Sequence, residues 1–253
     1  MNRLNATNDH NTPVLKDVSF DVRGGEVLGI AGVEGNGQTE LIEVITGMKK
    51  ATSGEVRYLN NNILGKSIDD IRKMDIGHIP EDRQTTGACL TSTIEENLIL
   101  DVYKNPEFKI GPFMNQKKLK QFAKSLMAEY DVRAKNEAML AGSLSGGNLQ
   151  KVVVAREMAK NPKLLIAAQP TRGVDIGAIE FIHREIIRKR DEGSAVLLVS
   201  AELSEIMSLS DRIAVMYEGE IVAILNNTDN LTEEEIGQYM LGIKKEERGS
   251  LIR

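Results

Sequence analysis

The stretch Gly32-Val33-Glu34-Gly35-Asn36-Gly37-Gln38-Thr39 constrains this chain more than any other. It follows an apolar run, Val27 to Ala31, and leads into Leu41-Ile42-Glu43-Val44-Ile45, whose apolar residues fall at helical rather than alternating spacing. The order is strand, glycine loop, helix. Gly32, Gly35 and Gly37 let backbone amides turn inward around an anion, and the first amides of the helix add the positive end of its dipole. A plain surface turn is the competing reading of such a loop, and the rest of the chain has to decide.

Gly32, four residues, Gly37, then Thr39 matches the phosphate loop of nucleotide hydrolases at every fixed position but one: where that pattern has Lys, this chain has Gln38. A hydrogen bond to a charged group contributes roughly 1.5–3 kcal/mol, and Gln38 can donate only a neutral one. The expected loss in nucleotide affinity is about tenfold to a hundredfold. The amide cradle and the Mg²⁺-directed hydroxyl of Thr39 remain.

Composition narrows the alternatives. At 253 residues, 41% hydrophobic and 27% charged, the chain can bury a full core as one large domain or as a domain with a smaller lobe. A net charge of -5 gives no bulk attraction to nucleic acid or to an anionic membrane. Cys89 is the only cysteine, and His10, His78 and His183 are far apart, which argues against a disulfide framework or a Cys- or His-based metal cluster and fits a reducing cytosol. No apolar run approaches the ~20 residues that span a bilayer, so work at a membrane is expected to go through a partner, without direct insertion.

Taken in order, Val14 to Val22 alternates as a strand, and Glu55 to Leu59 reads as another, closed by Asn60-Asn61-Asn62. Ser67 opens a helix; Ile76 to Ile79 is a short buried strand before the charged break Pro80-Glu81-Asp82-Arg83. From Thr93 to about Lys160 the pattern is helical. Asn115 is positioned to cap a helix with Leu119, Phe122, Leu126 and Tyr130 on one face, and Lys117, Lys118, Lys120 and Lys124 are expected to be a solvated face. Alternation then returns: strand Lys163 to Ala168, helix from about Gly177 to Arg190, strand Ala195 to Ser200, a short helix from Leu203, and a hairpin of Arg212 to Tyr217 with Glu220 to Leu225. Thr232 to Glu235 opens a last helix as a capping box, and Lys244 to Arg253 reads as a frayed tail. The expected division is a core lobe with a β-subdomain over 1–92 and 161–243, a helical lobe over 93–160, and a flexible tail over 244–253.

A second glycine motif, Leu144-Ser145-Gly146-Gly147-Asn148, stands at the start of the helix Lys151 to Lys160. Alone it is a plain helix cap; its order and distance from the first loop give it meaning. With the phosphate loop, the strand Leu164 to Ala168 followed by Gln169-Pro170-Thr171-Arg172-Gly173-Val174-Asp175, and the break Pro80 to Arg83, the chain resembles the nucleotide-binding domain of ABC transporters over nearly its whole length. More narrowly it is similar to the second, C-terminal half of tandem ATPases in simple-sugar and nucleoside importers, and Ala167-Ala168-Gln169-Pro170 with Gly35-Asn36-Gly37-Gln38 brings it closer to the nucleoside branch. The resemblance implies an α/β fold: a P-loop NTPase-type ABC ATPase core with an N-terminal antiparallel β-subdomain and an inserted α-helical subdomain. It also implies ATP with Mg²⁺, each ATP sandwiched between one domain's phosphate loop and the other's signature loop.

The resemblance assigns ATP contacts to Gly32, Glu34, Gly35, Asn36, Gly37, Gln38, Thr39 and Glu40, with Thr39 as a weak Mg²⁺ ligand. It assigns Leu144, Ser145, Gly146, Gly147 and Asn148 to the partner's ATP and Asp175 to the dimer contact. Four catalytic positions are degenerate: the metal-binding Asp falls on Ala168, the water-polarising Glu on Gln169, the switch His on Ala201 and the lid Gln on Glu81. With Gln38 that makes five departures, and a lost general base alone costs ~10²–10⁴ in rate. Glu34 and Glu81 are positioned to add negative charge near the phosphates. The adenine-stacking group is unassigned, with His10 one candidate.

The implied partners are a second, complete nucleotide-binding domain, in the same chain or another subunit, and membrane permease subunits, with no nucleic acid. The helical lobe and the segment Glu81 to Leu90 are expected to form the permease groove, and the chain to work on the cytoplasmic face of the membrane. A complete N-terminal half is expected to precede it. The competing readings are an ABC-type ATPase unconnected with transport and a nucleotide-free adaptor to a permease.

Overall fold

The computed structural model of the chain describes residues 1–246. Its architecture is mixed α/β and divides into two compact units. The first comprises Met1–His78, Lys163–Gln169 and the residues from Lys189 onward; the second comprises Ile79–Pro162 and Pro170–Arg188.

The first unit is built on a sheet whose strand order is Glu220–Asn226, Arg212–Tyr217, Val27–Ala31, Ala195–Val199, Leu164–Ala168, Ile76–Ile79. The pairs of Val27–Ala31 with both its neighbours, and of Ala195–Val199 with Leu164–Ala168, are parallel; Glu220–Asn226 closes one edge as an antiparallel hairpin strand. Val27–Ala31 is buried at every position, as are Val196 to Val199, which is why these segments read as continuous apolar runs rather than alternating ones. The register is level at the carboxyl end: Ala168 lies beside Val199, and Val199 beside Ile30. The helix Gln38–Ile45 sends Leu41, Ile42, Val44 and Ile45 into the same core as Leu28, Ile30, Ile166 and Val199.

A three-stranded antiparallel sheet, Pro13–Val18, Asn2–Thr7, Ser53–Glu55, adjoins this core through Leu4, Ala6, Leu15 and Val18. The strand Asn2–Thr7 is hidden in the polar start of the sequence: its inward pair, Leu4 and Ala6, is short, and Asn2, Arg3 and Asn5 mask the alternation. The strand expected over Glu55 to Leu59 is broken in two. Arg57–Tyr58 turns back on Asn61–Asn62 because Leu59 and Asn60 adopt left-handed φ values of 46° and 66°.

In the second unit the helices Ile94–Ile99, Gln116–Glu129 and Gly146–Ala159 pack together around Ile94, Leu98, Leu119, Ala123, Leu126, Leu149 and Val152. Thr93 opens the first of them with a full capping box to Glu96. Tyr130 is buried at the end of the second helix, and burial pushes its phenol up to about 12. The segment expected to be helical also contains a two-stranded ribbon, Lys109–Ile110 with Phe113–Met114. Thr232 caps the last helix, Glu233–Met240, by accepting from the Glu235 amide. Of the expected tail, Glu246 donates its amide to the Val222 carbonyl at 2.9 Å, and 247–253 lie outside the described residues.

Ile30 is fully buried in the strand that launches the glycine loop, so Ile30→Ala should destabilise the protein by about 2–5 kcal/mol. The urea midpoint should fall accordingly; an unchanged midpoint would mean that this strand is not part of the cooperative core.

Candidate functional site

In the first unit the glycine loop leaves the carboxyl end of Val27–Ala31, the central position from which ligand loops emerge in open parallel sheets. Gly35 and Gly37 hold φ values of 89° and 106°, and a Cβ on Gly37 would press on the Val14 carbonyl. Asn36 pins the loop. Its Oδ1 accepts from the Glu218 amide at 2.9 Å and its carbonyl accepts from the Gly219 amide at 3.0 Å, while the Gly219 carbonyl accepts from the Lys16 amide at 2.8 Å. The loop is thus tied to the Glu218–Gly219 turn and, through it, to the strand Pro13–Val18.

The helix Gln38–Ile45 has no side-chain cap, Gly35 faces open space, and Thr39 is exposed in the first turn with Glu40 beside it. Free amides, an open crest and a positive dipole end fit the phosphates of a nucleotide. Gln38 lies the other way. It is 9% exposed, packs against Gly32, and its Nε2 donates to the Val33 carbonyl at 3.3 Å, so the position that would present a cation instead returns a neutral amide to the loop itself. Toward a Mg²⁺ accompanying such phosphates the loop offers the hydroxyl of Thr39.

The next two strand ends complete this edge. Ala168 is 3% exposed, with a methyl where the metal-binding Asp is expected. Gln169 follows at φ 46°, donates its amide to the Val199 carbonyl at 2.7 Å, and accepts the Ala201 amide on its Oε1 at 3.0 Å. The positions expected for the general base and the switch are therefore brought together, but as an amide holding a backbone N–H, an arrangement with no group able to take a proton near neutral pH.

In the second unit Ser145 caps the helix Gly146–Ala159. Its Oγ accepts from the Asn148 amide at 3.4 Å and from Asn148 Nδ2 at 3.0 Å, and Asn148 Oδ1 accepts from the Arg133 amide at 2.7 Å. Leu144 is partly buried. A Cβ on Gly147 would collide with the Asp175 carboxylate, whose other oxygen caps the following helix by accepting from the Ala178 amide at 3.0 Å. Asp175 and the Ser145–Gly147 turn thus lie in contact.

Arg83 does what the sequence reading assigned to no residue. Its guanidinium donates to the Arg172 carbonyl at 2.5 Å and to the Gly173 carbonyl at 3.0 Å, alongside Gly146. Arg172 in turn forms an ion pair with Glu81, the expected lid position. Asp82 sets Arg83 in place by capping the turn Arg83–Gly87, and bonds from the Thr85 hydroxyl and the Gln84 and Thr85 amides hold its carboxyl below the usual range. The charges were visible in the sequence, Glu81, Asp82 and Arg83 in one stretch and Arg172 in the other, without a hint that they meet.

Comparison with known proteins gives these arrangements a context. Residues 15–172 match the ABC transporter family. The chain is 45% identical over 239 residues to the nucleoside import ATP-binding protein NupA of Lactococcus lactis subsp. cremoris, covering 94% of this chain and 47% of that one. It is 48% identical over 236 residues to the guanosine import ATP-binding protein NupO of Bacillus subtilis, covering 93% and 46%. The chain spans about half the length of these relatives. Among solved structures, the dimeric ABC transporter cassette MJ0796 superposes with a TM-score of 0.77 at 23% identity, over 90% of this chain and 97% of that one. The ADP conformation of the cassette MJ1267 superposes with a TM-score of 0.73 at 24% identity, over 95% and 93%. These likenesses place the fold among ATP-binding cassettes.

Arg83→Leu should release the Arg172 and Gly173 carbonyls and destabilise the protein by about 1–3 kcal/mol. The Val174 and Ala178 amides should lose hydrogen-exchange protection; retained protection would show that the loop is held by other contacts.

Proposed function

Because this chain belongs to the ABC transporter family, we propose that it is the degenerate nucleotide-binding half of an importer ATPase, supplying its signature loop to the ATP site of a complete partner domain. One observation carries this reading. At its own strand ends the chain presents Ala168, Gln169 and Ala201 beside a loop carrying Gln38, whereas Ser145, Gly146 and Gly147 stand at a helix N-terminus against Asp175.

In this reading Gly32, Glu34, Gly35, Asn36, Gly37, Gln38, Thr39 and Glu40 surround the phosphates of a weakly bound nucleotide, with backbone amides providing most of the attraction. Mg²⁺, where it accompanies the nucleotide, would supply charge neutralisation that only Thr39 here helps to hold. Gln169 orders the Ala201 segment and takes no proton. Leu144, Ser145, Gly146, Gly147 and Asn148 meet the γ-phosphate held by the partner, where preorganised donors act on charge that develops in the transition state. Asp175 fixes Gly147 and contributes to the contact between domains.

The partner is a second nucleotide-binding domain, in the same chain or another subunit, and the length of the relatives supports the former. A membrane permease is the second partner, reached through the helical unit on the cytoplasmic face. The transported solute is a nucleoside, in keeping with the names of the two relatives described above.

Mg·ATP binding and hydrolysis by this chain, alone and mixed with a cognate complete domain, test the reading. Alone it should bind weakly and turn over negligibly; the mixture should hydrolyse ATP, and Ser145→Arg should cut that activity about a hundredfold or more. Gln38→Lys should raise nucleotide affinity about tenfold to a hundredfold in calorimetry. Appreciable turnover by the isolated chain would sink the proposal, and a mixture indifferent to Ser145→Arg would assign the chain to the adaptor class.

A further inference from the structure

The helical unit carries a surface that neither glycine loop uses. In the ribbon Lys109–Ile110/Phe113–Met114, Ile110 pairs with Phe113 across the ladder and Gly111 turns the tip at φ 59°. Ile110, Phe113 and Met114 are 63%, 75% and 48% exposed, an apolar group standing in water. Its base is anchored. Phe108 is buried and packs on Phe122 with ring centroids 5.2 Å apart, Asn115 donates its amide to the Phe108 carbonyl at 2.8 Å, and Lys118 Nζ donates to the Glu107 carbonyl at 3.3 Å.

The charge around this tip runs against that of the whole chain. Residues 102–125 contain Lys104, Lys109, Lys117, Lys118, Lys120 and Lys124 against Glu107; Lys120 and Lys124 pair with Glu137, and with that acid counted the group is still net +4 within a chain of net -5. All six lysines are exposed. Lys117 and Lys118 occupy the first turn of Gln116–Glu129, where the positive end of the helix dipole disfavours cations, and that turn holds no acid. Lys118 is accounted for by its bond to the Glu107 carbonyl, which leaves Lys117 facing the dipole for no reason of folding.

We propose that the ribbon docks on the anionic surface of a phospholipid bilayer, with Ile110, Phe113 and Met114 entering the headgroup layer and the flanking lysines facing lipid phosphates and carboxylates. Lipid fits better than a second copy of the chain, because two tips brought together would oppose one basic surface to another. A small apolar tip binds only marginally by itself, and a basic patch is the usual second signal that makes such contact stable. The contact is interfacial: among the described residues no helix is long and apolar enough to cross a membrane. It uses none of the residues assigned to nucleotide, so this proposal and the importer reading can each fail alone.

Sedimentation of the full chain with phosphatidylcholine vesicles, with and without phosphatidylserine, tests it. Binding should require phosphatidylserine and weaken as salt is raised. Each of Lys109→Gln and Lys117→Gln should weaken it about fivefold, and Ile110→Ser with Phe113→Ser about tenfold or more. These side chains are exposed, so circular dichroism should show the variants folded. Absent binding to the anionic vesicles, equal binding to neutral ones, or serine variants that sediment like the parent would overturn the proposal. Lipid-free dimerisation abolished by Phe113→Ser would overturn it too, assigning the tip to a second copy.

Discussion

The level register of three parallel strands is the constraint on which the first unit depends. Ala168 beside Val199 and Val199 beside Ile30 mean that the chain leaves the sheet at Gly32, Gln169 and Ser200 from a single edge. The register is fixed by burial on both faces, since a one-residue slip would send every apolar side chain to the wrong side. The same burial suits the residue this edge carries. A carboxylate at the position of Ala168 would have to be desolvated and partnered, whereas a methyl at 3% exposure needs neither.

The second unit keeps its order by a different means. Its glycine turn is surrounded by charges that are already satisfied: Glu81 by Arg172, Asp175 by the Ala178 amide, and Arg83 by two carbonyls. Glu81 in particular is paired with a guanidinium, which offsets the negative charge the sequence reading expected it to bring toward phosphate. The turn Ser145–Gly147 is presented by neighbours with little left to rearrange.

Much of this architecture was legible in the sequence. Continuous runs such as Val27–Ala31 announced buried parallel strands, and Asn115 and Thr232 marked helix starts by their capping chemistry. The glycine loops were visible because an anion-binding turn permits few residue types. What escaped reading has physical causes. Asn2–Thr7 buries only Leu4 and Ala6 deeply, too short a signal to stand out from polar neighbours. The ribbon Lys109–Met114 buries none of its side chains, so no periodicity marks it. Arg83 meets Gly173 across 90 positions, and the Gln169–Ala201 bond spans 32, distances at which one sequence carries no pairing information. The inward fold of Gln38 was equally unreadable, since its identity does not say which way its amide turns.

That inward fold bears on what sets the protein's persistence in a cell. A lysine in the loop would hold a full charge among convergent N–H groups, an arrangement relieved only when an anion arrives, and such a site draws much of its order from its ligand. Gln38 brings no charge to the loop and gives its amide to the Val33 carbonyl. A ligand at a concentration equal to its dissociation constant adds only about 0.4 kcal/mol to folding stability. With no charge in the loop awaiting an anion, resistance to unfolding and proteolysis should rest on the packed chain more than on any ligand.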